Sequence, residues 1–126
     1  IDCICSDHTP VDMEEKTLPF SEATAGQIGT ELLLPLTLSW AKRHKVGTYE
    51  ALKLISEKPA NILGDKVSKI EEGVTANVTI FKPNEAWLVK EDNLLSQGKN
   101  SPFLGYEMHG KVYSTIMEGR CVFLKD

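Results

Sequence analysis

Asp7 is the residue in this sequence best placed by its neighbours to do chemistry. It stands where the apolar run Ile1-Asp2-Cys3-Ile4-Cys5-Ser6 gives way to Asp7-His8-Thr9-Pro10. In parallel α/β folds, catalytic groups collect at the C-terminal ends of strands. A carboxylate there can ligate a hard or borderline metal and act as a general base. The competing interpretation is structural. Short polar residues at strand ends commonly form turns, here an Asx turn around Thr9-Pro10. On residue types alone, the turn is favoured.

Other chemistry-bearing residues give weaker signals. Cys3, Cys5 and His8 bring two thiols and an imidazole close together. Their Cys-x-Cys spacing does not match the ligand spacings of structural zinc sites, so buried apolar thiols are the better reading. With Cys121 the cysteines number three. An odd count without a disulfide framework reads as reduced thiols in a cytoplasmic protein. His44 at a helix end suits the helix dipole. His109, beside Gly110, reads as a surface loop residue. Trp40 and Trp87 read as core, and Glu14-Glu15 and Glu71-Glu72 as solvated charges. No glycine-rich phosphate loop is present.

The elements that must position Asp7 can be traced along the chain. Residues 1–6 form a near-continuous apolar run, which fits a strand covered on both faces, as in a parallel sheet. Residues 9–30 read as a long polar loop, and long loops in compact domains are often functional. A helix follows over 30–45, with Pro35 in its first turns and Lys42-Arg43-His44-Lys45 at its positive end. Thr48 can cap a second helix running from Tyr49 to about Ser56. Lys58-Pro59 starts a third, Ala60–Leu63, which Gly64 ends. From about residue 67 the pattern changes. Val74, Ala76, Val78 and Ile80 alternate with polar residues, the period-two signal of a strand. Val112 to Met117 and Cys121 to Leu124 are further strands, joined by a Glu118-Gly119-Arg120 turn.

Bulk properties exclude several function classes. The 126 residues are 41% hydrophobic and 25% charged, which is globular rather than disordered composition. A net charge of −4 gives no footprint for nucleic acid or an anionic membrane. The longest apolar run, Leu32–Leu38, is far shorter than the roughly 20 residues that cross a bilayer. The chain opens on Ile1 rather than Met, and a parallel strand needs neighbours. Both features point to residues upstream.

Ordered motifs along the whole chain resemble those of type I dihydroorotases. Ser6-Asp7-His8-Thr9-Pro10, with Glu14-Glu15-Lys16 and Pro19-Phe20, resembles their Asp-His-Ala-Pro-His…Glu-Glu-Lys segment. Ala23-Thr24-Ala25-Gly26-Gln27-Ile28-Gly29-Thr30-Glu31, leading to Leu34-Pro35-Leu36, is similar to their Ala-x-Pro-Gly-x-x-Gly-Leu-Glu…Leu-Pro-Leu. Lys58-Pro59-Ala60-Asn61-Ile62-Leu63-Gly64, Ile70–Asn77, Ser96–Gly105 and Gly110-Lys111-Val112 match further family stretches in the same order.

The resemblance implies an α/β fold: the C-terminal part of a metal-dependent amidohydrolase. Residues 1–66 would be the end of a (β/α)8 barrel, with 1–6 as its last strand. Residues 67–126 would be part of a small β-sandwich. The implied reaction is the reversible cyclisation of N-carbamoyl-L-aspartate to dihydroorotate, in cytoplasmic pyrimidine synthesis. Asp7 would be a ligand to zinc, one or two ions, and the general base. This implication overturns the turn-only reading of Asp7. Ala25 and Gly26 match loop positions whose backbone meets the substrate ring, where a glycine allows close approach.

Two departures bear on activity. The family's His-x-His, its carboxylated lysine and its further histidines are not in this sequence, so the 126 residues alone are expected to be inactive. The family's carboxylate-binding histidine is replaced by Val11, which loses a charge-assisted contact worth roughly 1.5–3 kcal/mol. Two alternatives follow. One is a non-catalytic dihydroorotase-like subunit that partners aspartate carbamoyltransferase. The other is a hydrolase of another cyclic amide. The apolar residues 1–6 and the helix at 30–45 also predict self-association if the segment stands alone.

Overall fold

The computed structural model describes residues 1–67 and 69–125. A short helix α1, Met13–Lys16, interrupts the first loop. A 3-10 turn, Thr30–Leu32, then leads into α2, Leu33–His44. Pro35 falls in the first turn of α2, where a missing N–H breaks no helical bond. Lys42, Arg43 and His44 fill the last turn, and Lys45 closes it in the left-handed region at φ 55°. Helices α3, Thr48–Lys53, and α4, Glu57–Leu63, follow. Gly64 ends α4 at φ 75°, as a C-terminal glycine should. The cap of α3 is Gly47 rather than Thr48, which is the first helical residue. The third helix starts at Glu57, earlier than Pro59 suggested.

Three antiparallel strands complete the chain in the order β1-β2-β3: Val78–Leu88, Glu107–Met117 and Arg120–Leu124. The β2–β3 turn uses Glu118 at φ 51° and Gly119 at φ 76°, with Met117 opposite Arg120. Two positive φ values match the twist of a two-residue hairpin. Asn77 steadies this turn, its Oδ1 accepting from the Glu118 N–H at 2.9 Å.

Three expectations are corrected. Residues 1–6 form no strand. A strand needs a ladder partner, and among the described residues this segment has none; Ile4 N–H instead donates to the Leu54 carbonyl at 2.9 Å. The alternating run from Val74 becomes regular only at Val78 and continues to Leu88. Its middle is hidden in the sequence by Pro83, which a break in register between Lys82 and Ala86 accommodates. His109 lies in β2, not in a loop, although it is exposed.

The core joins the loop before α2 to the sheet. Ile28, Leu32, Val89, Leu94 and Met108 form it, with Leu36, Trp87, Phe103 and Leu104 packed around. Helix α2 lies so close to β2 that a Cβ on Gly110, at φ 95°, would sit 2.5 Å from Leu38 Cδ1. A side chain there would be strained by the positive φ and would have to displace the Leu38 tip. Among the described residues, no helix is long and apolar enough to cross a membrane.

Candidate active site

The segment after Ser6 turns sharply at Asp7, whose φ of 47° is left-handed. Asp tolerates that region better than most residues. An Asx turn would use the Thr9 N–H, two residues on. That N–H instead donates to the Gln27 carbonyl at 2.8 Å. The turn at Asp7 therefore does not spend its carboxylate on the Thr9 amide. It presents an exposed acid at the edge of a cleft.

Gly26 and Gly29 let the 25–30 loop lie against this turn. At Gly26, φ is 140°, and a Cβ would meet the Thr9 carbonyl oxygen at 2.5 Å and Val11 Cγ2 at 2.7 Å. At Gly29 a Cβ would collide with the Ser6 carbonyl. His8 fixes the far end. Its Nδ1 accepts from the Gly29 and Thr30 N–H groups at 3.1 and 3.3 Å. The imidazole thus caps the 3-10 turn, whose own cap residue Gly29 has no side chain to do so.

Two residues tie this loop to the C-terminal half. Asn100, 8% exposed, donates from Nδ2 to the Gly26 carbonyl at 2.8 Å. Its Oδ1 accepts from Val11 N–H at 3.4 Å, and its own carbonyl accepts from Ile28 N–H at 3.0 Å. Glu31 accepts from the Leu95 and Ser96 N–H groups at 2.7 and 2.9 Å and from Ser96 Oγ at 2.6 Å. Partial burial pushes the Glu31 carboxyl upward, but these hydrogen bonds and Lys99 outweigh it and hold it below the usual value of 4.5. A lowered folded-state value stabilises the fold above pH 4.5 and loses that contribution as pH falls through the folded value. Glu31→Gln should therefore cost about 1 kcal/mol near pH 7, after allowance for solvent screening, and progressively less toward pH 3. Urea denaturation at several pH values checks this. An equal cost at pH 7 and pH 3 would contradict it.

An open cleft of about 580 Å³ is lined by Asp7, Thr9, Gly26, Gln27 and Asn100 among others. Asp7 and Gly26 thus line one cleft. Val11 is buried behind Gly26, and the exposed Ala25 also lies outside the lining. The residues present do not make a metal centre alone: among the described residues no three His, Cys, Asp or Glu side chains cluster. Asp7 offers one carboxylate, fewer than the three protein ligands a catalytic zinc usually needs. The Cys3 thiol is held above its usual range by a hydrogen bond with Cys5 and by burial, which disfavours the metal-binding thiolate. Cys5 is exposed and Cys3 is half-buried, so these two are not the fully buried thiols their surroundings suggested; Cys121 is exposed as well. His8, Asn100 and Glu31 were given no role from the sequence. The signal for Asn100 and Glu31 was present, because both fall in motif stretches, but their partners lie 64 to 89 residues away.

No family model matches the chain. Curated relatives named dihydroorotase do match it. The one from Wolbachia sp. subsp. Drosophila simulans is 35% identical over 123 residues, 98% of this chain and 28% of that protein. The one from Geotalea daltonii is 37% identical over 126 residues, the whole chain and 30% of that protein. The chain therefore spans less than a third of the length of these relatives. Among solved structures, a D-hydantoinase (dihydropyrimidinase) from Thermus sp. superposes with a TM-score of 0.82 at 21% identity, over 98% of this chain and 28% of that one. Another D-hydantoinase gives 0.72 at 14% identity. The fold is therefore that of part of a hydantoinase chain, α/β with a small antiparallel sheet. Along its whole length, the chain is similar in sequence to a C-terminal part of proteins named dihydroorotase.

Proposed function

We propose that this chain is the C-terminal part of a cytoplasmic, metal-dependent cyclic amidohydrolase that interconverts N-carbamoyl-L-aspartate and dihydroorotate in pyrimidine synthesis. The observation that carries the reading is Asp7, left-handed and exposed, on one cleft with Gly26. Residues 1–66 would close the (β/α)8 barrel, with 1–6 gaining a strand's partners only in the longer protein. Residues 67–126 would supply part of the β-sandwich. The exposure of Ile1, Phe20 and Ile70 at 80%, 100% and 90% supports further covering protein.

In ring opening, water adds to the amide carbonyl and the carbon–nitrogen bond breaks. Asp7 would accept the proton from the attacking water and return it to the leaving nitrogen, acting first as base and then as acid. The Ala25-Gly26 backbone would border the ring, reached closely because Gly26 has no Cβ. Zinc would need ligands beyond these residues, with Asp7 as one of them. The isolated 126-residue chain is accordingly expected to bind no stoichiometric zinc and to turn over no dihydroorotate. Metal analysis and a ring-opening assay check this, and turnover with one bound zinc per chain would contradict it.

Val11 favours a second reading. It is apolar, buried and not among the residues that line the cleft, so it supplies no grip on a substrate carboxylate. A non-catalytic subunit that partners aspartate carbamoyltransferase would tolerate this. The hydantoinase-like fold keeps open another cyclic amide as substrate. Profiling the full-length protein against dihydroorotate and hydantoins separates the enzymes, and copurification with the transferase tests the subunit.

A further inference from the structure

We infer that Asn100 is a positioning residue for the reaction. Across the boundary between the two halves of the chain, it ties the Gly26 backbone, which would meet substrate, to the buried Val11 backbone behind it. The inference rests on the functional reading above and adds a residue to which that reading gave no role. The case is geometric. Asn100 is 8% exposed, and both ends of its amide are used. Nδ2 donates to Gly26 at 2.8 Å, and Oδ1 accepts from Val11 at 3.4 Å. Its main-chain carbonyl takes the Ile28 N–H at 3.0 Å. One residue thus holds three points of the loop from one side while lining the same cleft as Asp7.

Gly26 cannot hold its own place. Its φ of 140° is a conformation that glycine permits but does not enforce. The Nδ2 bond to its carbonyl fixes the peptide that would face the ring. Gly98 supports the arrangement, because a Cβ there would come within 3.0 Å of Pro10 Cβ and 3.2 Å of Asn100 Oδ1. The 98–100 segment and the Asp7 turn therefore pack as one surface, although they are about ninety residues apart in sequence.

The test uses the full-length, zinc-loaded protein with Asn100→Ala and Asn100→Asp. The aspartate keeps the acceptor toward Val11 and loses the donor toward Gly26. Because it has nearly the same shape, it keeps the test alive if the alanine variant folds poorly. Both variants are expected to raise KM for dihydroorotate roughly tenfold, with kcat within about twofold. In Asn100→Ala, the Val11 amide should also exchange with solvent at least about tenfold faster. A fall in kcat at unchanged KM would mean fewer folded molecules, a purely structural role, and would overturn the inference. So would unchanged KM in both variants. If the unsubstituted protein does not act on dihydroorotate, the functional reading fails separately. Exchange then decides the loop-holding claim: faster Val11 exchange upholds it and unchanged exchange overturns it.

Discussion

Asp7→Asn in the full-length protein should lower kcat for dihydroorotate ring opening by about 10²- to 10⁴-fold, the usual contribution of a positioned general base. Asparagine has nearly the shape of aspartate and shares its tolerance of left-handed φ. The turn at φ 47° should therefore survive, and the unfolding midpoint should stay close to that of the unsubstituted protein. What disappears is the ability to take a proton. Asp7→Ala is a poorer probe because it adds backbone strain to lost chemistry. Steady-state kinetics with parallel thermal unfolding make the measurement. A kcat within twofold of the starting value would remove Asp7 from the chemistry and return it to turn-making.

Gly26→Ala should be the most damaging single change in the loop. A Cβ at that position meets the Thr9 carbonyl oxygen at 2.5 Å, which is backbone and cannot rotate away, and Val11 Cγ2 at 2.7 Å. The φ of 140° adds a conformational cost of roughly 1–3 kcal/mol. The Thr9–Gln27 and Asn100–Gly26 hydrogen bonds link this point to both neighbours, so the loop cannot shift without breaking one of them. We expect KM to rise by about ten- to a hundredfold, together with a lower urea midpoint. Val11→Ala in the same chain should recover only part of the loss, because it relieves the side-chain contact and not the Thr9 contact. Full recovery would place the strain at Val11 instead.

Much of the local structure was legible in the sequence because its signals are local. The apolar face and basic end of α2, the glycine after α4 and the Glu118-Gly119 turn each follow from neighbouring residues. The resemblance to dihydroorotases likewise rests on residues read in order. Failures came where distant partners decide. Residues 1–6 have a strand's composition, but composition provides no ladder. Pro83 looks like a break in β1 but sits in a register shift that the long partner strand β2 tolerates. The site divides in the same way. Asp7 and Gly26 were visible as types in motifs, whereas the left-handed turn at Asp7 is a conformation that no residue type announces. His8 had no assigned role, and it caps a 3-10 turn whose N–H lies twenty-one residues away. Val11 was recognised as a departure, but its burial behind Gly26 was not foreseeable from one position.

The most direct measurement of the central claim is dihydroorotate ring opening by the full-length protein with added zinc, beside Val11→His. The account predicts measurable turnover by the unsubstituted protein. It also predicts that Val11→His changes KM more than kcat, because a histidine there would supply the carboxylate contact that Val11 does not, while Asp7 is left untouched. A well-folded, zinc-loaded protein that leaves dihydroorotate intact, with or without Val11→His, would contradict the enzymatic account and favour the non-catalytic subunit.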